Sequence, residues 1–176
     1  MSTAAADSAG DFAVPPVEIG AFRRAVGRFA TGVCVVTTFA GRHDHAMTAN
    51  AFTSVSLDPL LVLVCVEQDA RFHEAVIESG TWGVSVLDVT ARGEAEWLAS
   101  PGRPLIGQLD TVAHHRGDVT GVALLDHSLA TLECLTENVF PGGDHSIVVG
   151  RVVAVGLATD GPGPLIYHRS GYRSLQ

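Results

Sequence analysis

The sequence predicts an antiparallel, mainly β barrel with a few helices on its outside, and three observations support this. Short runs rich in Val, Ile and Thr recur along the chain between clusters of Gly, Pro and Asp, the pattern of strands joined by turns. Helical periodicity is confined to brief stretches that do not alternate regularly with the strands, which excludes a parallel doubly wound sheet. No G-x-G-x-x-G follows a strand, so a nucleotide would not be held in Rossmann fashion.

Taken in order, residues 1–15 are mostly Ala, Ser, Gly and Asp, with neither a basic n-region nor an apolar run. They are expected to be a disordered tail and not a signal peptide, with the folded domain over residues 16–176. Pro15-Pro16 leads into Phe22, Ala25, Val26 and Phe29 at i, i+3, i+4 and i+7, with Gly32 as a stop. That spacing predicts a helix laying one apolar stripe on the core. Residues 33–38 are β-branched and predict a strand closed by the polar turn at 41–44.

The most informative stretch is 47–66, MTANAFTSVSLDPLLVLVCV, which predicts a hydroxyl-rich strand, the turn Leu57-Asp58-Pro59 and an apolar strand. In an unbroken strand Met47, Ala49, Ala51, Thr53 and Val55 share one face, and Thr48, Asn50, Phe52, Ser54 and Ser56 the other. A strand needing only solubility would carry Lys, Glu or Arg on its polar face. Short neutral donors and acceptors suit a wall that touches a flat polar ligand. Asp69 is positioned to cap a helix over 70–79, with Phe72, Ala75 and Val76 inward and Gly80 as its stop.

A strand over 82–87 and a short helix over 91–98 follow. Residues 100–122, rich in Gly, Pro and His, read as a long functional or mobile loop. Strands over 130–139 and 146–155 are joined by Phe140-Pro141-Gly142-Gly143-Asp144, and residues 165–173 close the chain.

A length of 176 residues suits one domain that buries roughly two thirds of its unfolded surface. The formal charge of −8 argues against nucleic acid or an anionic membrane as partner. All 11 basic residues are Arg, so no ammonium is present for Schiff-base chemistry. Cys34, Cys65 and Cys134 are odd in number and sit in apolar runs, as buried thiols in a reducing cytoplasm would. No apolar run approaches the roughly 18 residues that span a bilayer. His43-x-His45 and His114-His115 have no further ligand at metal-like spacing, and no G-x-S-x-G or H-E-x-x-H occurs, so metal and hydrolase chemistry are not expected.

Four motifs occur in order: Phe29-Ala30-Thr31-Gly32-Val33, the strand from Met47 through Ser56, Gly143-Asp144-His145, and Tyr167-His168-Arg169-Ser170-Gly171-Tyr172. Together they closely resemble the flavin reductase-like family with the FMN-binding split barrel. The likeness is greatest to the reductase components of two-component flavin-dependent monooxygenases. The resemblance implies a homodimeric split β-barrel that binds FMN or FAD near the subunit interface and oxidises NADH or NADPH. Reduced flavin would then pass to a separate monooxygenase.

The resemblance assigns flavin contacts to Thr31, Thr48, Ala49, Asn50, Ala51, Thr53 and Ser54, with Cys65 and Val66 bordering the ring. Arg71, in the first turn of its helix, is assigned to a flavin phosphate, as a guanidinium beside free helix N–H groups allows. Phe72 stands where relatives often carry a hydroxyl. His145 is assigned to the reacting rings as the catalytic, chiefly positioning, residue, and Tyr172 to packing on the dinucleotide. Two rival readings use the same barrel: a flavin carrier or sensor without turnover, and an enzyme that retains its flavin and acts on another substrate.

Overall fold

The computed structural model describes residues 15–159 and 161–175, so the expected tail lies, apart from Pro15, outside the described residues. Helix α1 (Ile19–Val26) is followed by the short β1 (Thr31–Gly32), then β2 (Cys34–Ala40), β3 (His43–Ala49), β4 (Phe52–Leu57) and β5 (Leu60–Glu67). Next come α2 (Arg71–Ser79), β6 (Thr81–Leu87), a 3-10 turn (Val89–Ala91) and α3 (Arg92–Ala99). The rest is β7 (His114–Arg116), β8 (Ala123–Leu125), the long pair β9 (Ser128–Gly142) and β10 (His145–Leu157), and the hairpin β11 (Leu165–His168) and β12 (Gly171–Ser174).

The main sheet has seven antiparallel strands in the order β3-β2-β6-β9-β10-β5-β4. Its edge strands, β3 and β4, are consecutive in sequence with only Asn50 and Ala51 between them. In a flat sheet those edges would stand about 28 Å apart. Three residues of extended chain span at most about 11 Å from Ala49 to Phe52. The sheet therefore curls until its edges nearly meet, giving a barrel slit lengthwise between β3 and β4. A single unbroken strand over 47–56 was expected; the crossing at Asn50-Ala51 divides it, so its two halves do not share faces.

The barrel interior holds Val36, Val64, Val66, Trp82, Val84, Cys134 and Val148, all fully buried. Trp82 fits because Gly150 faces it, where a Cβ would overlap the indole. Helix α2 turns Phe72 and Val76 into this core and ends at Gly80 in the left-handed conformation that glycine tolerates. Its N-cap is Ala70 with no side-chain cap bond, not the expected Asp69.

A second core lies outside the barrel, where Val33, Val35 and Leu87 meet Ala95 and Leu98 of α3 and Leu109, Val112 and Leu125 of the following segment. The long loop is thus packed. Its Gln108 Oε1 accepts from Ala46 N (3.2 Å) and its Arg103 Nη2 donates to Ala46 O (2.6 Å), so side chains occupy backbone groups that edge strand β3 would leave bare. Glu133, 3% exposed in β9, accepts from the N–H groups of Val119 and Thr120 and from Thr120 Oγ1. Burial pushes its carboxyl up, but these bonds outweigh it and hold the group below its usual range.

Helix α1 departs from expectation. Its amphipathic period is real and its Glu18 cap accepts from Gly20 N and Ala21 N, yet none of its residues is buried. Phe22 and Val26 are 59% and 51% exposed. The apolar stripe borders a cavity and solvent instead of the core.

Candidate active site

At the slit the regular ladder gives way to single bonds. Cys65 N donates to Ala51 O (3.0 Å), and Cys34 Sγ donates to Ala49 O (3.3 Å). Beside this crossing lies a cavity of about 680 Å3, within the range of cofactor sites. Val26, Phe29, Ala30 and Thr31 form one wall, Asn50 and Ala51 the crossing itself, and Phe52, Thr53, Leu63 and Cys65 the opposite wall, with Cys34 and Val86 also lining it. No lining residue carries a charge.

Two polar groups here have no hydrogen-bond partner among the described residues. Thr31 Oγ1 is buried with no hydrogen bond among the described residues, and it borders the cavity. A buried hydroxyl left unpaired is costly, so a ligand that bonds it recovers that loss. The Asn50 carboxamide, exposed on the crossing, lines both this cavity and an adjoining one of about 170 Å3 formed with Val33, Thr48, Ala49, Ala99, Tyr167 and Tyr172. These tyrosines pack edge to face with centroids 5.5 Å apart, and Arg92 lies over the Tyr172 ring at 5.9 Å. Burial, then Tyr167 and Glu96, raise the Tyr172 phenol.

Thr31, Asn50, Ala51, Thr53 and Cys65 thus meet around one cavity, and Thr48, Ala49 and Tyr172 around its neighbour. Thr48 Oγ1 donates to Ala95 O (2.8 Å), so its hydroxyl also ties β3 to α3. Ser54 is exposed on β4 outside either lining, and the Val66 side chain is wholly inside the core. Burial raises the Cys34 thiol to about 12 and, followed by the charge of Glu133, the Cys134 thiol also to about 12. Both thiols are inert at neutral pH.

His145 begins β10 after the two-residue loop Gly143-Asp144, where Gly143 supplies the positive φ of +75°. In the β5–β10 ladder Cys65 pairs with Ile147 and Glu67 with His145. His145 therefore shares the outer face with Cys65, about 7 Å further along. Its Nδ1–H donates to Asp144 Oδ1 at 2.7 Å, and this bond and the His145 charge lower the Asp144 carboxyl.

Arg71 lies apart, in a groove with His43, His45, Glu74 and Glu78. Its Nη2 donates to Arg103 O at 2.6 Å. Burial and then the Arg71 charge disfavour the Arg103 cation. His115 Nδ1–H donates to Asp126 Oδ1 at 2.8 Å.

The flavin reductase like domain profile matches residues 26–176, nearly the whole described chain. The chain belongs to the flavin reductase like family. It is 42% identical to an NADH-dependent FAD reductase of Streptomyces globisporus over 80% of this chain and 77% of that protein. It is 41% identical to the reductase component of the 4-hydroxyphenylacetate 3-monooxygenase of Thermus thermophilus, over 88% of this chain and 95% of the other. Among solved structures, BorF, the flavin reductase component of a bacterial two-component tryptophan halogenase, matches with a TM-score of 0.84 at 43% identity, covering 90% of this chain and 98% of that one.

Val26, Cys34, Leu63 and Val86 line the cavity but lie outside the four motifs and the assigned flavin contacts. Each reads from the sequence as core, and only the turn of α1 toward the slit brings Val26 to the cavity.

Proposed function

We propose that this chain is an NAD(P)H-dependent flavin reductase that supplies reduced FMN or FAD to a separate flavin-dependent monooxygenase. The observation that carries the reading is the uncharged cavity at the slit, with an unpaired buried Thr31 hydroxyl on one side and a free Asn50 carboxamide at its rim. When bound, the nicotinamide supplies a hydride from C4 and the flavin accepts it at N5; the protein's share is alignment.

Ala51 lets the backbone approach the flat ring, while Thr31, Asn50 and Thr53 offer hydrogen bonds to its polar edge and ribityl chain. His145, steadied through Nδ1 by Asp144, keeps Nε2 to orient the nicotinamide. Tyr172 and Tyr167 give the rest of the dinucleotide an aromatic floor. A lining without charges holds flavin by packing and neutral bonds, which favours release of the reduced product.

The active unit in this reading is a cytoplasmic homodimer. Val55, Leu57 and Leu60 are exposed together at the β4–β5 hairpin, an apolar edge suited to a second copy. Light scattering after gel filtration checks the dimer, and a monomer would remove it.

The deciding experiment is anaerobic oxidation of NADH and NADPH with and without added FMN or FAD. Turnover that saturates with free flavin supports the reductase. Flavin that binds yet is reduced by neither nucleotide overturns it.

A further inference from the structure

The acidic chain carries one basic face. Its formal charge is −8, yet α1, the segment to β1 and the C-terminal hairpin hold Arg23, Arg24, Arg28, Arg169 and Arg173 against a single acid, Glu18. All five are exposed, and only Arg24 has a carboxylate within 4 Å among the described residues, Glu18 at 3.7 Å.

The fold brings these segments together. β1 pairs with β11 through Thr31 opposite Tyr167, and Arg169 N donates to Gly27 O at 2.8 Å. Arg28 stands between Val26 and Phe29, both of which line the large cavity. Arg173 lines a further cleft of about 360 Å3 with Arg92 and Tyr172, next to the small cavity. Arg23 and Arg24 also suit the C-terminal end of the α1 dipole, but that does not account for Arg28, Arg169 or Arg173. The unpaired cations thus lie around an uncharged site.

We infer that this arginine face captures the phosphate groups of the nucleotide cosubstrates and raises their rate of arrival at the cavity. The inference rests on the flavin reductase reading for the ligand class. Flavin and nicotinamide nucleotides are anions, and a protein of net negative charge would repel them. A local basic field reverses that repulsion over roughly 10 Å at moderate salt. Packing inside the cavity then provides affinity without retaining the product.

The test replaces Arg23, Arg28, Arg169 and Arg173 together by Gln, all exposed positions outside the lining of the large cavity and of its small neighbour. Binding of FMN and of uncharged riboflavin is followed by flavin fluorescence as salt is raised, a readout that needs no turnover. FMN affinity and on-rate in the unaltered protein are expected to fall roughly 3- to 10-fold between low salt and about 0.3 M, with riboflavin nearly unaffected. In the variant the FMN slope flattens or reverses, because the field that remains is repulsive.

A second arm measures kcat/KM for NADH at saturating riboflavin. Loss of salt dependence there assigns the face to the dinucleotide pyrophosphate, and loss in the FMN arm assigns it to the flavin phosphate. The variant retains kcat at saturation in either case. Salt slopes unchanged in both arms overturn the inference. A chain that binds FMN with this salt dependence but oxidises neither nucleotide leaves the face intact and removes the reductase reading instead.

Discussion

The two walls of the barrel are built from similar residues and treated differently. On the β2–β6 side both faces are covered: Val36 and Val84 point into the barrel, and Val35 and Leu87 into the second core under α3, all at 0% exposure. On the β4–β5–β10 side Val62, Val64 and Val148 face inward just as tightly, but the outer face stays open at Leu63 and Cys65, with Leu60 exposed at the end of the same strand. The covered wall spends its apolar surface on stability. The open wall leaves comparable apolar surface uncovered. Substitutions on the first should therefore register in unfolding, and those on the second in flavin and nucleotide kinetics.

The largest expected effect lies inside the barrel. Trp82→Ala leaves a void opposite Gly150 and should cost about 3–5 kcal/mol, read as a lower urea midpoint. Next is Glu133→Gln, which turns an ionised acceptor of several N–H groups into a poorer one, at about 2 kcal/mol at neutral pH. Because the folded carboxyl sits below its ordinary value, its stabilisation is present above about 4.5 and is lost as pH falls through the depressed value. The difference between variant and parent should thus shrink in acid urea titrations.

On the open wall the order of readouts reverses. Ala51→Leu narrows the cavity and, on the proposed reading, should raise the flavin KM roughly tenfold or more, a change of about 1.4 kcal/mol, while the thermal midpoint barely moves. Thr31→Val removes an unpaired buried hydroxyl; it should keep or slightly improve stability while weakening flavin about 3- to 10-fold. A stability loss in Thr31→Val, or an unfolded Ala51→Leu, would break the division between the walls.

Strands on both walls were legible, while the join between the edges was not. β2, β5, β9 and β10 announce themselves by β-branched runs, and α2 by Phe72, Ala75 and Val76 before Gly80, because these signals are local. The break at Asn50-Ala51 has no local mark. Neither Gly nor Pro stands there, and alternation continues through it; only closure of a seven-stranded sheet demands the crossing. Thr31, Asn50, Ala51 and Thr53 could be singled out by motif and Cys65 by the resemblance, and they line the cavity. Val26 and Leu63 could not, since an apolar side chain facing a ligand has the same pattern as one facing the core. For Arg71, helix position suggested an anion, whereas the fold turns its guanidinium to the Arg103 carbonyl.

The crossing between the two edge strands also bears on how such a chain can change length over evolution. Surface connections usually absorb insertions at little cost, since loop closure varies slowly with length. Asn50 and Ala51 are different, because they fix at once the aperture of the slit and the side of the sheet on which each following residue lands. One added residue would turn Thr53 away from the cavity and Phe52 away from the core. Sequence drift can therefore lengthen the turn at Gly41 or the segment after Ala99, while this two-residue tether has to keep its length.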